Sequence, residues 1–196
     1  DDDNNLIIRY EATTDKATLC NLTNHTYFNL AGHDHGTVRD HIVYIDADVV
    51  TAVASDLIPT GGYMPVVGTP LDLREGMLLA DGIEAKDTCT PMVWAGGYDH
   101  NFVLRKGSAM AMCACVLHEE SGRLMEVITD QPGVQCYTGQ GLNHTGKGGV
   151  HYGKYAGLCL ETQHYPDAIH QPQFHSIVLR PEDTYDTTTI YKFYAE

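Results

Sequence analysis

Short runs in which apolar and polar residues alternate recur along most of the chain. Alternation with a period of two is typical of strands that have one face in a core. The runs are rich in Val, Ile, Thr, Tyr and Cys, which favour strands, and Gly, Pro, Asp or Asn bound them. The pattern predicts strands over residues 6–12, 19–30, 41–47, 49–53, 101–104, 109–117, 124–129, 134–138, 155–163, 177–179 and 187–194.

The connections between these runs contain residues that make tight turns. Residues 106–108 and 119–122 predict hairpin loops, and residues 59–62 and 131–133 predict tight turns. Residues 72–84 predict at most one or two helical turns. Many short strands with glycine-rich turns predict an all-β fold, a large antiparallel β-sandwich in one domain or part of one.

Length and charge narrow the range of functions. The chain has 196 residues, 43% of them hydrophobic, which is enough for one domain with a packed core. Its formal net charge of −14 would repel phosphate backbones and anionic membrane surfaces. No apolar run approaches the length that spans a bilayer. We therefore expect a neutral small molecule as the ligand, and neither nucleic acid nor membrane as a partner.

The six cysteines indicate a reducing compartment. Most lie in apolar runs, where a free thiol behaves as a small hydrophobic group. Cys113 and Cys115 lack the spacing of a zinc site. No signal-peptide pattern opens the chain, so we expect a cytoplasmic protein. The polar start at residues 1–5 has no initiator Met and predicts that an upstream part is missing.

His25 is the first candidate for chemistry. In an extended strand it shares one face with Asn21, Thr23 and Tyr27, and such a polar, aromatic face suits a ligand-lined cleft. Judged from this strand alone, a hydrogen-bonded structural histidine is the more common alternative.

Glu161 is the second candidate, because Glu is unfavourable in a strand and here it follows an apolar stretch. Its face also holds Gly157, Cys159 and Gln163, and the small neighbours leave room for a bound molecule. A buried carboxylate must find partners, or its pKa rises. A structural ion pair is the alternative, although the chain has only 12 Lys and Arg for 26 Asp and Glu.

Three further residues fit a polar ligand. Asp99 follows two glycines that allow close backbone approach, and its carboxylate suits sugar hydroxyls, although a turn-stabilising Asp is the local alternative. Gln135, near Tyr137, can both donate to and accept from hydroxyls, but a plain strand Gln is more common. Trp94 can stack on a sugar ring, with core packing as the default interpretation.

A metal site is weakly indicated. His33 and His35, with Glu161 and another His, would imitate a metal-binding β-barrel oxygenase. Gly32 and Gly36 flank the pair, however, which favours an exposed loop. Phosphate-cradling glycine motifs and a Gly-x-Ser-x-Gly elbow are absent from the sequence.

Taken together, the motifs resemble the aldose 1-epimerase (galactose mutarotase) family. Each motif is moderately specific, and their joint order over nearly the whole chain is highly specific. The matching stretches are NLTNHTYFNLAG (21–32), LIPTG (57–61), VGTPLD (67–72), GYDHNFVL (97–104), SGR (121–123), PGVQ (132–135), YTG (137–139), LETQ (160–163) and PDA (166–168).

The resemblance implies both a fold and an activity. The family fold is a large antiparallel supersandwich, and the activity interconverts the α and β anomers of free hexoses such as galactose or glucose without a cofactor or metal. The match implies His25 as the catalytic acid and Glu161 as the base. It also implies Asp99 and Gln135 as substrate-binding residues, with Tyr27 beside the acid. We expect the acid and base to face each other across about one pyranose ring.

The chain also departs from the family pattern. Family members have an upstream portion that supplies a substrate-binding Arg and a second His. Residues 1–196 are therefore expected to be the C-terminal part of a single domain whose N-terminal portion is needed. A non-catalytic carbohydrate-binding homologue is the main alternative, and sparse basic residues disfavour a phosphosugar epimerase. Gln140 and Glu182, where the family favours Asn and Gly, are expected to be surface loop changes.

Overall fold

The computed structural model describes residues 1–195. Its strands and helices, in chain order, are β1 (Asn5–Ala12), β2 (Thr18–Leu19), β3 (Ile42–Ile45), β4 (Ala47–Val53), β5 (Pro59–Pro65), β6 (Met77–Leu78), α1 (Leu79–Glu84), α2 (Thr90–Ala95), β7 (Asp99–Leu104), β8 (Ala111–His118), β9 (Arg123–Thr129), β10 (Gly133–Tyr137), β11 (His144–Thr145), β12 (His151–Tyr152), β13 (Cys159–Gln163), β14 (Val178–Leu179) and β15 (Tyr185–Ala195).

Two antiparallel sheets pack face to face. The six-stranded sheet has the order β1-β15-β9-β8-β3-β6, and the five-stranded sheet has the order β13-β10-β7-β4-β5. One buried cluster joins them, with Val43, Met125 and Tyr191 from the first sheet and Phe102 and Leu160 from the second. This all-β sandwich confirms the predicted fold class.

One predicted turn is confirmed and two are wrong. Residues 119–122 do form a hairpin, since β8 pairs with β9. Residues 106–108 do not, because β7 and β8 belong to different sheets and this loop crosses the sandwich. Residues 59–62 lie inside β5, an edge strand, so the predicted turn there is wrong. Proline is tolerated at such an edge, where no neighbouring strand needs its missing N–H.

The segment that carries His25 is extended but is not a full strand as predicted. Only β2 and a bridge between Phe28 and Leu158 are paired within residues 19–30. Between them, side chains replace the backbone ladder to β13. The Asn21 side chain donates to the His164 carbonyl and accepts from its N–H, both at 3.0 Å, and Thr23 Oγ1 donates to the Thr162 carbonyl at 2.8 Å. The segment is therefore held against β13 by side chains and not by strand pairing.

Two short helices lie between β6 and β7 in the chain. Helix α1 lies within the predicted helical range 72–84, whereas α2 was not predicted. Neither helix of the described residues has the length and apolar composition needed to cross a bilayer. Strand β13 begins at Cys159 and not at the predicted residue 155, where Tyr155 adopts a left-handed backbone with φ of 66° that does not fit a strand.

Substituting Gly82 of α1 with Ala is expected to destabilise the fold by about 1–3 kcal/mol, because a Cβ there would overlap the hydroxyl of the fully buried Tyr98. Gly62→Ala is the matched control, since its Cβ would meet nothing closer than 3.7 Å. Urea unfolding of both variants checks this expectation. Equal midpoints for the two variants would contradict the packing described around Tyr98.

Candidate active site

The register of three neighbouring strands brings the polar candidates together. In the ladders of β10, Gln135 lies opposite Glu161 of β13, and Tyr137 lies opposite Asp99 of β7. Directly opposite residues of an antiparallel pair point to the same face. One face of the five-stranded sheet therefore presents Asp99, Gln135, Tyr137 and Glu161.

His25 completes this face from the neighbouring extended segment. Its Nε2 lies 3.2 Å from Glu161 Oε1, and the His25 side chain is 50% exposed while that of Glu161 is 12% exposed. The structure therefore brings these two predicted residues together. The expected separation of about one pyranose ring is wrong, because the two groups are in direct contact. A carboxylate this buried needs a polar partner, and His25 is the partner that the fold supplies.

Burial and a second acid both act on the Glu161 carboxyl. Removal from water raises the pKa of Glu161, the nearby His25 opposes this rise, and the Asp99 carboxylate adds to it. The pKa of Asp99 is likewise raised, mainly by burial, against the effects of the Gln135 hydrogen bond and of His25. Both carboxyl groups therefore hold a proton more readily than ordinary surface acids.

Gln135 orients Asp99 and retains free hydrogen-bonding capacity. Gln135 Nε2 donates to Asp99 Oδ1 at 2.7 Å. Gln135 Oε1 is buried and has no hydrogen-bond partner among the described residues. A buried amide oxygen left unpaired is costly, by about 1–3 kcal/mol, so this atom favours a hydroxyl or other donor from a bound molecule.

Aromatic rings surround the His25–Glu161 contact. The Tyr27 ring stacks on the His25 ring with centroids 5.0 Å apart. The Tyr137 ring stands edge-on to both, at 6.1 Å from His25 and 6.3 Å from Tyr27. Tyr27 is 45% exposed, so its apolar face is open to a ligand. Tyr137 was not among the predicted site residues, although its spacing of two from Gln135 places it on the same face.

Several predicted features lie apart from this site. Trp94 is 43% exposed on α2, so it is not in the core. His33 pairs with the Tyr152 hydroxyl at 2.8 Å and His35 with Asp34 at 2.7 Å, and neither is grouped with Glu161 as a metal ligand among the described residues. Both lie in an exposed stretch, as expected.

The two departures from the family pattern differ in outcome. Glu182 is exposed, as a surface change should be. Gln140 is not a surface change, because its Nε2 donates to the carbonyls of Ala95 and Tyr98 and its Oε1 accepts from Thr138. The longer Gln side chain thus ties the end of α2 to the strands that carry the site.

Comparison with known proteins decides the family. The model of the aldose 1-epimerase family matches residues 1–192. The chain belongs to the aldose 1-epimerase family.

Members of the aldose 1-epimerase family resemble the chain in sequence and structure. Human galactose mutarotase is 46% identical over 194 residues, which is 98% of this chain and 55% of the human protein. The aldose 1-epimerase of Escherichia coli K12 is 36% identical over 199 residues, covering all of this chain and 56% of the bacterial protein. The chain thus spans about half the length of the curated relatives it matches.

Solved structures of aldose epimerases share the fold. The GalM/aldose epimerase homologue from C. elegans superposes with a TM-score of 0.87 at 31% identity, over 99% of this chain and 57% of that one. Galactose 1-epimerase from Lactobacillus acidophilus gives a TM-score of 0.83 at 30% identity, over 100% of this chain and 55% of that one.

Proposed function

We propose that the protein is an aldose 1-epimerase that interconverts the α and β anomers of free hexoses such as galactose or glucose. The observation that carries the proposal is the 3.2 Å contact between the half-exposed imidazole of His25 and the largely buried carboxylate of Glu161. Opening and closing a sugar ring requires one general acid and one general base, and His25 and Glu161 lie side by side on an open polar and aromatic face.

Ring opening moves two protons. Glu161 takes the proton of the anomeric hydroxyl O1 while His25 gives a proton to the ring oxygen O5, and the C1–O5 bond breaks. Rotation about C1–C2 presents the other face of the carbonyl, and closure reverses both transfers. O1 and O5 are bonded to the same carbon, so an acid and a base in contact can reach both. The opposite-sided arrangement expected from sequence is unnecessary for this chemistry.

The remaining residues of the face hold the sugar. Asp99 accepts from one sugar hydroxyl, and Gln135 accepts from another through the buried Oε1 that the protein leaves unpaired. Tyr27 offers its exposed ring to the apolar C–H face of the hexose. Gln135 also keeps the Asp99 carboxylate in place through its own N–H.

The pH dependence of the rate should reflect the raised pKa of the buried base Glu161. Glu161 must be ionised to act, and its pKa is raised by burial and by Asp99. The acidic limb of the pH profile, where the rate falls as Glu161 becomes protonated, is therefore expected at a higher pH than an ordinary Glu would give. Replacing Asp99 with Asn removes one cause of the rise, so this limb should move to lower pH while KM increases. Measuring kcat and KM separately across pH, for the parent and for D99N, checks the shift of this limb and the increase in KM. An unmoved limb, or one at higher pH, in D99N would contradict the assignment.

The domain is proposed to need an upstream portion. The curated relatives are nearly twice as long as the matched chain. An apolar groove of about 540 Å³ borders the site at Tyr27 and is lined by Phe28, Leu142 and Phe193 among others. We propose that residues 1–196 are the C-terminal part of one domain and that the N-terminal portion covers this face. Adding the upstream portion of the human relative in trans should raise the mutarotation rate. Full activity of the chain alone would contradict this requirement.

Two predictions from the sequence remain open. The reaction as derived uses only side chains of this chain, and unchanged mutarotation after dialysis against a chelator would support independence from metals. The cytoplasmic location stays a prediction that rests on the six cysteines, which within residues 1–195 are all free thiols. A binding module without catalysis would bind galactose yet leave its anomer exchange at the uncatalysed rate.

A further inference from the structure

A third side chain with metal-binding chemistry lies at the proposed acid–base pair. Cys159 of β13 faces the same side as Glu161 and lies opposite Tyr137 in the ladder. The thiol of Cys159, a ring nitrogen of His25 and a carboxylate oxygen of Glu161 all lie within 4.8 Å of one another. Cys159 is fully buried and takes no part in the proposed mechanism.

We propose that His25, Cys159 and Glu161 form an inhibitory site for Zn²⁺. Imidazole nitrogen, thiolate sulfur and carboxylate oxygen are the three ligand types that zinc takes in proteins. Three protein ligands leave the fourth tetrahedral position for water, and the exposed side of His25 gives that position access to solvent. The 3.2 Å between His25 and Glu161 is close to the ~3.4 Å that separates two ligands around one tetrahedral zinc with bonds of about 2.0–2.2 Å.

Proton release accompanies this binding. Burial raises the pKa of the Cys159 thiol, and the Glu161 charge raises it further, so the thiol is protonated in the metal-free protein. Zinc displaces that proton to solvent and binds the thiolate.

A second cluster shows what distinguishes a metal site from a hydrogen-bonded one. Asp40, His41 and His118 are grouped equally closely. Leu30 N–H donates to His41 Nε2 at 2.9 Å, so His41 carries its proton on Nδ1, facing Asp40. Ser121 N–H donates to His118 Nδ1 at 3.3 Å, so the His118 proton also faces Asp40. Neither imidazole retains a free lone pair, and this cluster is the internal control.

The inhibition part of the inference rests on the proposed function, whereas the binding part does not. Zinc would occupy Glu161 and His25, which are the proposed base and acid. It should therefore compete with the sugar, and saturating galactose should raise the zinc concentration that gives half-inhibition.

Zinc binding is measured by competition with a chromophoric chelator for the parent chain, Cys159→Ala, and the controls Cys115→Ala and His118→Ala. Cys159→Ala should weaken zinc binding at least ~10-fold, since even the loss of a group that only orients a ligand costs about 10–100-fold. Both controls should match the parent, and Mg²⁺ should not compete, because it prefers oxygen ligands. Equal affinity in the parent and Cys159→Ala would overturn the proposal.

Cobalt binding to the unmodified protein provides an answer that does not depend on the folding of any variant. Co²⁺ bound by the Cys159 thiolate should give a sulfur-to-cobalt charge-transfer band in the near ultraviolet, and its absence would overturn the site. In activity assays, Cys159→Ala should keep the mutarotation rate and lose inhibition by zinc at least ~10-fold. If zinc binds through Cys159 but does not inhibit mutarotation, the metal-binding site is supported and the catalytic roles proposed for His25 and Glu161 are contradicted.

Discussion

Replacing Glu161 with Gln is expected to lower the rate of anomer exchange by about 10²–10⁴-fold, the range that one general base contributes. Gln keeps the size of the side chain and can still contact His25, but it cannot accept the proton of the anomeric hydroxyl. Polarimetry of freshly dissolved α-galactose measures the rate. Glu120→Gln, an exposed position on the loop between β8 and β9, is the control and should match the parent.

The same substitution should leave the protein folded and more stable at neutral pH. The pKa of Glu161 is raised in the folded state, so the folded chain binds a proton more tightly than the unfolded chain. The protonated Glu161 carboxyl stabilises the folded state at pH values below its pKa in the unfolded chain. This stabilisation is lost as pH rises through the pKa of Glu161 in the folded state. At neutral pH the ionised, buried carboxylate therefore costs stability that Gln removes. A near-normal rate, or unfolding of this variant, would contradict the account.

Replacing Tyr191 with Ala is expected to destabilise the fold by about 3–5 kcal/mol, as for other large aromatic residues in a core. Tyr191 is fully buried on β15, and its ring lies 4.8 Å from that of Phe28. Its hydroxyl lies 2.8 Å from the Leu160 carbonyl and 3.1 Å from Asn24 Oδ1. The side chain thus fixes the two segments that carry Glu161 and His25.

Guanidinium unfolding distinguishes the packing of Tyr191 from its hydrogen bond. Tyr191→Phe keeps the ring and should lose only about 0.5–1.5 kcal/mol for the hydrogen bond. Tyr194→Phe on the same strand is the control, because this ring is 38% exposed and its hydroxyl donates to Glu126 in a solvent-exposed hydrogen bond. A loss below about 1 kcal/mol for Tyr191→Ala would show that the two sheets are not joined there as described.

Alternation along the sequence predicted that Cys159 and Glu161 share a face, whereas the choice of His25, Glu161 and Asp99 as site residues came from the resemblance to the family. Cys159, Glu161 and Gln163 alternate along β13, and the ladder places them opposite Tyr137, Gln135 and Gly133 of β10. The alternation thus placed Cys159 on the same face as Glu161, but the metal-ligand function proposed for it depends on where His25 lies. That position is a contact between segments more than a hundred residues apart, which no local pattern encodes.

The errors share this origin. Residues 106–108 have good hairpin chemistry, yet the loop crosses between sheets because β7 pairs with β4 and β10 instead of β8. Residues 19–30 alternate like a strand, but the polar side chains of Asn21 and Thr23 take the hydrogen bonds that a backbone ladder would make. Gln140 was taken for a surface change because two of its partners, Ala95 and Tyr98, lie 45 and 42 residues away in the sequence and are brought near only by the fold.

The most direct test of the central claim is the rate of exchange between the two anomers, measured by exchange NMR at equilibrium for His25→Gln, Glu161→Gln and the double variant. Two groups that move protons in one step act as a unit, so their losses are not additive. The account predicts that each single variant is strongly impaired and that the double variant is no slower than the worse of the two. Losses that multiply, or a single variant with the parent rate, would show that His25 and Glu161 do not work as a pair.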